Sequence, residues 1–172
     1  QQTVSGHNYL CMYDYFLNEF RQQALTLLEL GVGPKDNCGK SLLTWNNYFP
    51  QASIVGFDIR EDTRRLAGDR IKIEIGNGGN PLDLQMLGER YKPSIIIDDA
   101  SHQWAHQILA FQCLYPHLQP GGIYIVEDIH TSFGGLRESY GKGSSMDAFA
   151  YFTSLQTHLV GNQRPYPSEP FR

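Results

Sequence analysis

The stretch Ser94-Ile95-Ile96-Ile97-Asp98-Asp99-Ala100-Ser101-His102 constrains this chain more than any other. Three consecutive isoleucines read as a strand buried on both faces, the kind that lies inside a parallel sheet covered by helices. The strand ends in two carboxylates, and a histidine follows close behind. A second strand, Gly122-Ile123-Tyr124-Ile125-Val126, ends the same way, in Glu127-Asp128. As parallel neighbours, the two strands would crowd all of these acids onto one rim of one sheet. At ~5 Å and an effective dielectric of about 20, each like-charge pair costs roughly 3 kcal/mol. No lysine or arginine adjoins either motif to offset that cost. Protons or a metal cation must do so, and oxygen-only ligands suit a hard ion such as magnesium.

A chain of 172 residues, 41% hydrophobic and 19% charged, is expected to form one globular domain over 1–172. That length suffices to bury about 70% of the unfolded surface. A net charge of −4 leaves no electrostatic footprint for nucleic acid or an anionic membrane. No apolar run approaches the ~18 residues of a membrane span, and no signal peptide opens the chain. Cys11, Cys38 and Cys113 are widely spaced without CxxC spacing, so reduced and mostly buried thiols in a cytoplasmic protein are expected. Gln1 stands where a methionine would open a full reading frame, as in a processed or excised segment. Self-association into a homo-oligomer is left open.

Taken in order, residues 8–23 carry Tyr9, Tyr13, Phe16, Leu17 and Phe20 at helical spacing, which predicts an amphipathic helix over one sheet edge. Contact of Tyr9 or Tyr13 with a ligand is the alternative. Ala24–Leu30 is the first expected strand, left by the turn Glu29-Leu30-Gly31-Val32-Gly33, where glycines permit positive φ and close backbone approach. A polar loop at 34–38 leads to a helix over Ser41–Tyr48. The second strand, Ala52–Phe57, ends at Asp58, placed to accept hydrogen bonds from ribose hydroxyls. A short helix at Glu61–Ala67 precedes an alternating edge strand at Ile71–Ile75, then a helix at Leu82–Tyr91. After the Ile95–Asp99 strand comes a helix from about His102 to Leu118, with Trp104, Ile108, Phe111, Leu114 and Tyr115 inward. Glycine-rich residues 133–145 read as a lid, Met146–Val160 as a last helix through Phe149 and Phe152, and 161–172 as an extended tail. Five strands alternating with helices predict a doubly wound, Rossmann-like α/β fold with strand order 3-2-1-4-5. That order sets Gly31, Gly33, Asp58, Asp99 and Glu127 along one rim.

Two phosphate-binding patterns fail on spacing. Gly33 through Gly39-Lys40-Ser41 nearly spells a P-loop, as an NTPase would require, but five residues separate its glycines where the motif has four. A nicotinamide fingerprint lacks its third glycine, since Asp36 stands there. S-adenosylmethionine has a ribose and an adenine but no phosphates. It needs close approach at Gly31 and Gly33, an acceptor such as Glu29 near the sulfonium and an acid such as Asp58, and the chain offers each.

Glu29-Leu30-Gly31-Val32-Gly33, Asp58 and Leu118-Gln119-Pro120-Gly121-Gly122 resemble class I S-adenosylmethionine-dependent methyltransferases. Asp98-Asp99-Ala100-Ser101-His102 and Glu127-Asp128-Ile129-His130-Thr131-Ser132 resemble, more narrowly, the metal-dependent sugar O-methyltransferases of macrolide biosynthesis, the mycinamicin type. Gly39-Lys40-Ser41-Leu42, Trp45, Tyr48-Phe49-Pro50 and His7-Asn8-Tyr9 are similar to the same group, and the resemblance covers roughly residues 5–160. It implies that Asp99, Glu127 and Asp128 hold Mg²⁺, that His102 is the general base, and that a hydroxylated small-molecule acceptor, a sugar or other vicinal diol, is methylated. Asp98, on the opposite strand face, is expected behind the ligands; His106 is expected to be structural or at the rim, and His130 to line the pocket or face solvent. Asn77 stands where the family has an acid, with an amide oxygen that can accept from the adenine amino group. Ala100 replaces a more usual glycine, and 161–172 do not read as the two C-terminal strands of the family. A non-catalytic S-adenosylmethionine-binding subunit is the alternative of a different class.

Overall fold

The computed structural model describes residues 9–33 and 38–160. The expected loop at 34–38 (save Cys38), the tail at 161–172 and the His7-Asn8 part of the first motif lie outside the described residues. Five strands, β1 (Thr26–Leu30), β2 (Ser53–Asp58), β3 (Ile71–Ile75), β4 (Ile95–Asp98) and β5 (Ile123–Val126), form one sheet in the order β3-β2-β1-β4-β5. All four pairings are parallel, with Leu30 opposite Asp98 and Asp98 opposite Val126, so the acid-bearing ends align.

Alternation along each strand divides the core into two layers. Ile95 and Ile97 join Leu27, Ile54, Leu42, Trp45 and Phe49 on the face covered by α1 (Leu10–Leu17) and α2 (Lys40–Tyr48). Ile96 joins Leu28, Leu30, Val55 and Phe57 beneath α3 (Pro81–Tyr91) and α4 (Trp104–Leu114). Ile95, Ile96 and Ile97 have no exposed surface, and burying all three contributes about 5–9 kcal/mol as an upper figure. That anchoring holds the following Asp98-Asp99 turn in place.

Several boundaries differ from the pattern, each for a local reason. The expected 8–23 helix is α-helical only to Leu17 and then tightens into a 3₁₀ turn at Asn18–Phe20, as helix ends often do. The 61–67 helix is also 3₁₀, over Glu61–Leu66. The helix expected to reach Leu118 stops at Leu114, because Pro116 brings no N–H, and Tyr115 is turned out, 54% exposed, rather than inward. Asn80 caps α3 by accepting from Leu82 N at 3.0 Å. The 133–145 segment holds a 3₁₀ turn at Gly134–Leu136 and a short helix, α5 (Arg137–Tyr140). It is docked, with the Arg137 guanidinium 5.1 Å above the Trp104 ring. Helix α6 (Ala148–Val160) packs Tyr151 and Phe152 edge-on against Phe111, while Phe149 is half exposed beside Phe133 instead of joining the core. The cysteines are free, but Cys11 is exposed rather than buried, since it lies on the outer side of α1. No helix among the described residues is long and apolar enough to cross a membrane.

Candidate active site

The rims of β4 and β5 carry the chemistry. Asp99 follows β4, its N–H donating to the Leu30 carbonyl, and Glu127 N donates to the Asp98 carbonyl, so both strand ends are tied to their neighbours. Beyond them the chain takes a strained path. His102 and Asp128 have φ of 55° and 54°, and Lys92 is the one other non-glycine residue with positive φ among the described residues. Such conformations cost of order 1–3 kcal/mol and persist where the surroundings enforce them. Here they turn both side chains toward Asp99. One ligand atom each from Asp99, His102 and Asp128 lies within 4.8 Å of the others. His102 Nε2 is 3.5 Å from Asp128 Oδ2 and 3.8 Å from Asp99 Oδ1.

Both acids at the end of β4 are harder to ionise than free carboxylates. Burial pushes the Asp99 carboxyl up to about 7, and the charges of Glu127, Asp128 and Asp98 push it the same way. Burial likewise raises Asp98, 2% exposed, to about 7. Glu127 therefore stands close enough to act on both, although its side chain engages Tyr13 and it falls outside the three-residue cluster. Two carboxylates and an imidazole around one point fit a divalent cation. His130, also expected near the site, is half exposed with Nδ1 3.6 Å from Asp128 Oδ1.

A cavity of about 510 Å³ opens beside this cluster. Gly31, Gly33, Asp58, Asn77, Asp98, Asp99, His102 and His106 all border it. Gly31, at φ 83°, passes so close to the β4 turn that a Cβ would lie 2.7 Å from the Ala100 Cα and collide with the Asp99 carbonyl oxygen. Asp58 is already engaged: its Oδ2 accepts from Val32 N and its Oδ1 from Arg60 N, both at 2.9 Å. Oδ1 is also ion-paired with Arg60 Nε at 3.4 Å, so Oδ2 is the oxygen that keeps a second lone pair for a ligand hydroxyl. Asn77 borders the cavity too, and its side-chain oxygen accepts from Gly79 N at 2.9 Å, which shapes the loop after β3. Glu29 does not border the cavity. It is 1% exposed, accepting from Trp45 Nε1 at 3.1 Å and Ser41 Oγ at 3.0 Å, and burial pushes it up to about 8 against those two bonds. Asp98 borders the cavity, and its Oδ2 is buried without a hydrogen-bond partner among the described residues. His106 packs at the rim with Nδ1 2.8 Å from Ser101 Oγ.

No family model matches the chain. It is 37% identical over 131 residues to 8-demethyl-8-alpha-L-rhamnosyl tetracenomycin-C 2'-O-methyltransferase of Streptomyces olivaceus, across 74% of this chain and 34% of that protein. It is 36% identical over 172 residues to demethylmacrocin O-methyltransferase of Streptomyces fradiae, across 95% of this chain and 43% of the other. The solved structure of the MycE methyltransferase from the mycinamycin biosynthetic pathway, in complex with Mg, SAH and mycinamycin VI, matches with a TM-score of 0.82 at 28% identity. That match covers 92% of this chain and 45% of MycE. The chain belongs to the S-adenosylmethionine-dependent sugar O-methyltransferase family of the mycinamicin type. It spans less than half the length of the relatives named here.

Within this sugar O-methyltransferase scaffold, further residues reach the cluster. Tyr9 and Tyr13 project from α1 onto Asp128 and Glu127, a contact the helical spacing of the two tyrosines allows without requiring. Gln107 Nε2 donates to the Glu127 carbonyl at 2.9 Å, fixing the strand end from α4. The Tyr140 ring, at the end of α5, stands 6.5 Å from that of His102 and has no sequence signal beyond its glycine-rich setting.

Proposed function

We propose that the chain is the cofactor- and metal-binding domain of an Mg²⁺-dependent O-methyltransferase that moves a methyl group from S-adenosylmethionine to a hydroxyl of a sugar or other vicinal diol. The convergence of Asp99, His102 and Asp128 within 4.8 Å, with Asp99 and His102 on the wall of the cavity that Gly31 also borders, carries this reading. The ion, when bound, supplies Lewis acidity that acidifies an acceptor oxygen, and S-adenosylmethionine supplies the methyl group. Asp99 and Asp128 would hold the cation, with Glu127 beside them. Gly31, Gly33 and Asp58 wall the cofactor cavity, and the Asn77 loop closes its far side.

His102 Nε2 is the base for the acceptor hydroxyl: it lies 3.5 Å from Asp128 Oδ2 and 3.8 Å from Asp99 Oδ1, and an imidazole is the side chain most often used for general-base work. Orientation supplies much of the rate, since transfer requires the two reactants held in line. A second reading follows from the same distances, in which the His102 nitrogen is itself a ligand of the cation. Hard cations prefer oxygen, which favours the base. The acceptor is a small hydroxylated molecule, as the substrates named for the relatives suggest.

The test is transfer of labelled methyl from S-adenosylmethionine to a rhamnoside acceptor by the full-length protein. Activity that appears with Mg²⁺ and vanishes with EDTA supports the proposal. Cofactor binding without transfer to any diol acceptor would leave a non-catalytic binding subunit instead.

A further inference from the structure

Helix α1 reaches past the sheet edge it covers. Tyr9 Oη donates to Asp128 Oδ1 at 3.1 Å, and Tyr13 Oη donates to Glu127 Oε1. The tyrosines lie one helical turn apart, so a single face of α1 meets the two consecutive acids that end β5. Consecutive residues leaving a strand point in opposite directions, and an unrestrained carboxylate rotates freely. At Asp128 the restraint is directional. Oδ1 takes the Tyr9 hydroxyl, and the plane this sets turns Oδ2 toward His102 Nε2, 3.5 Å away. The phenols are themselves held: the Tyr13 ring meets Trp45 edge-on at 4.8 Å, and Tyr9 meets Tyr13 edge-on at 6.4 Å. Trp45 in turn is 5% exposed and bonded to buried Glu29, so the chain of contacts ends in the core.

We propose that Tyr9 and Tyr13 are positioning residues, whose hydroxyls hold Asp128 and Glu127 in the orientation that receives the divalent cation. This rests on the reading of the site as a cation centre and adds which residues set its affinity. Groups that bond to metal-ligating carboxylates from behind change metal affinity by about 10–100-fold when removed. A tyrosine that instead competed with the ion for its carboxylate would act in the opposite sense.

Mn²⁺ titration followed by the electron-paramagnetic signal of the free ion separates these cases, using the full-length protein and its Tyr9→Phe, Tyr13→Phe and Tyr15→Phe variants. Phenylalanine keeps each ring and its packing, so melting temperatures should not move. Tyr15 is on the same helix but 80% exposed, and serves as the control. Expected are losses of about 10-fold in Mn²⁺ affinity for Tyr9→Phe and Tyr13→Phe, none for Tyr15→Phe, and unchanged affinity for S-adenosylhomocysteine in all three. Unchanged or tighter Mn²⁺ binding in both variants overturns the inference while leaving the cation centre intact, as does an equal loss in Tyr15→Phe. Failure of the unaltered protein to bind Mn²⁺ removes the cation centre, and this inference with it.

Discussion

Gly31→Ala is expected to lower stability by about 2–5 kcal/mol, from about 1–2 for a side chain at positive φ and about 1–3 for overpacking. The added methyl meets the Asp99 carbonyl oxygen and the Ala100 Cα, which are backbone atoms and cannot swing aside as a flexible side chain would. The β1 and β4 turns must separate, and Asp99 moves with them. Against a total stability of about 5–15 kcal/mol, this is a large fraction. Urea unfolding read by fluorescence and circular dichroism measures it. A change below about 1 kcal/mol would mean that the two turns are not packed as described.

His102→Ala should reduce methyl transfer by about 10²–10⁴-fold, the range over which a positioned base contributes. The imidazole sits at φ 55°, a conformation its surroundings must enforce, and it faces Asp99 and Asp128. As the base, its loss leaves the affinity for Mn²⁺ and for cofactor nearly unchanged. As a ligand, its loss weakens Mn²⁺ binding together with transfer. Steady-state kinetics alongside a metal titration on one protein sample distinguish the two, and an active variant removes His102 from the chemistry altogether.

The sheet was legible because its signals are local. Ile95-Ile96-Ile97 and Ile123–Val126 announce themselves through apolar runs, and β3 through strict alternation at an edge. Acids at strand ends were legible for the same reason: in parallel neighbours, ends that align in sequence pattern align in space. Helix ends were harder to read, since the passage from α-helix to 3₁₀ turn at Leu17 and the stop before Pro116 depend on packing as well as propensity. Side-chain direction at the site was not legible. Whether Glu127 or Asp128 faces His102 depends on a left-handed backbone at Asp128, which no local pattern announces. The tyrosine contacts span 119 and 114 residues of chain, and Glu29 is enclosed by Ser41 and Trp45 across a loop, so both arise from tertiary structure alone.

Everything proposed for this protein descends from one claim, that β4 and β5 deliver their terminal acids to a single point that a divalent ion occupies. Diffraction from crystals grown with Mn²⁺ and S-adenosylhomocysteine, recorded to bring out the anomalous signal of manganese, addresses it directly. One strong peak is expected between the carboxylates of Asp99 and Asp128, next to His102. A peak bound elsewhere, or S-adenosylhomocysteine in place with no metal between those two acids, would contradict it.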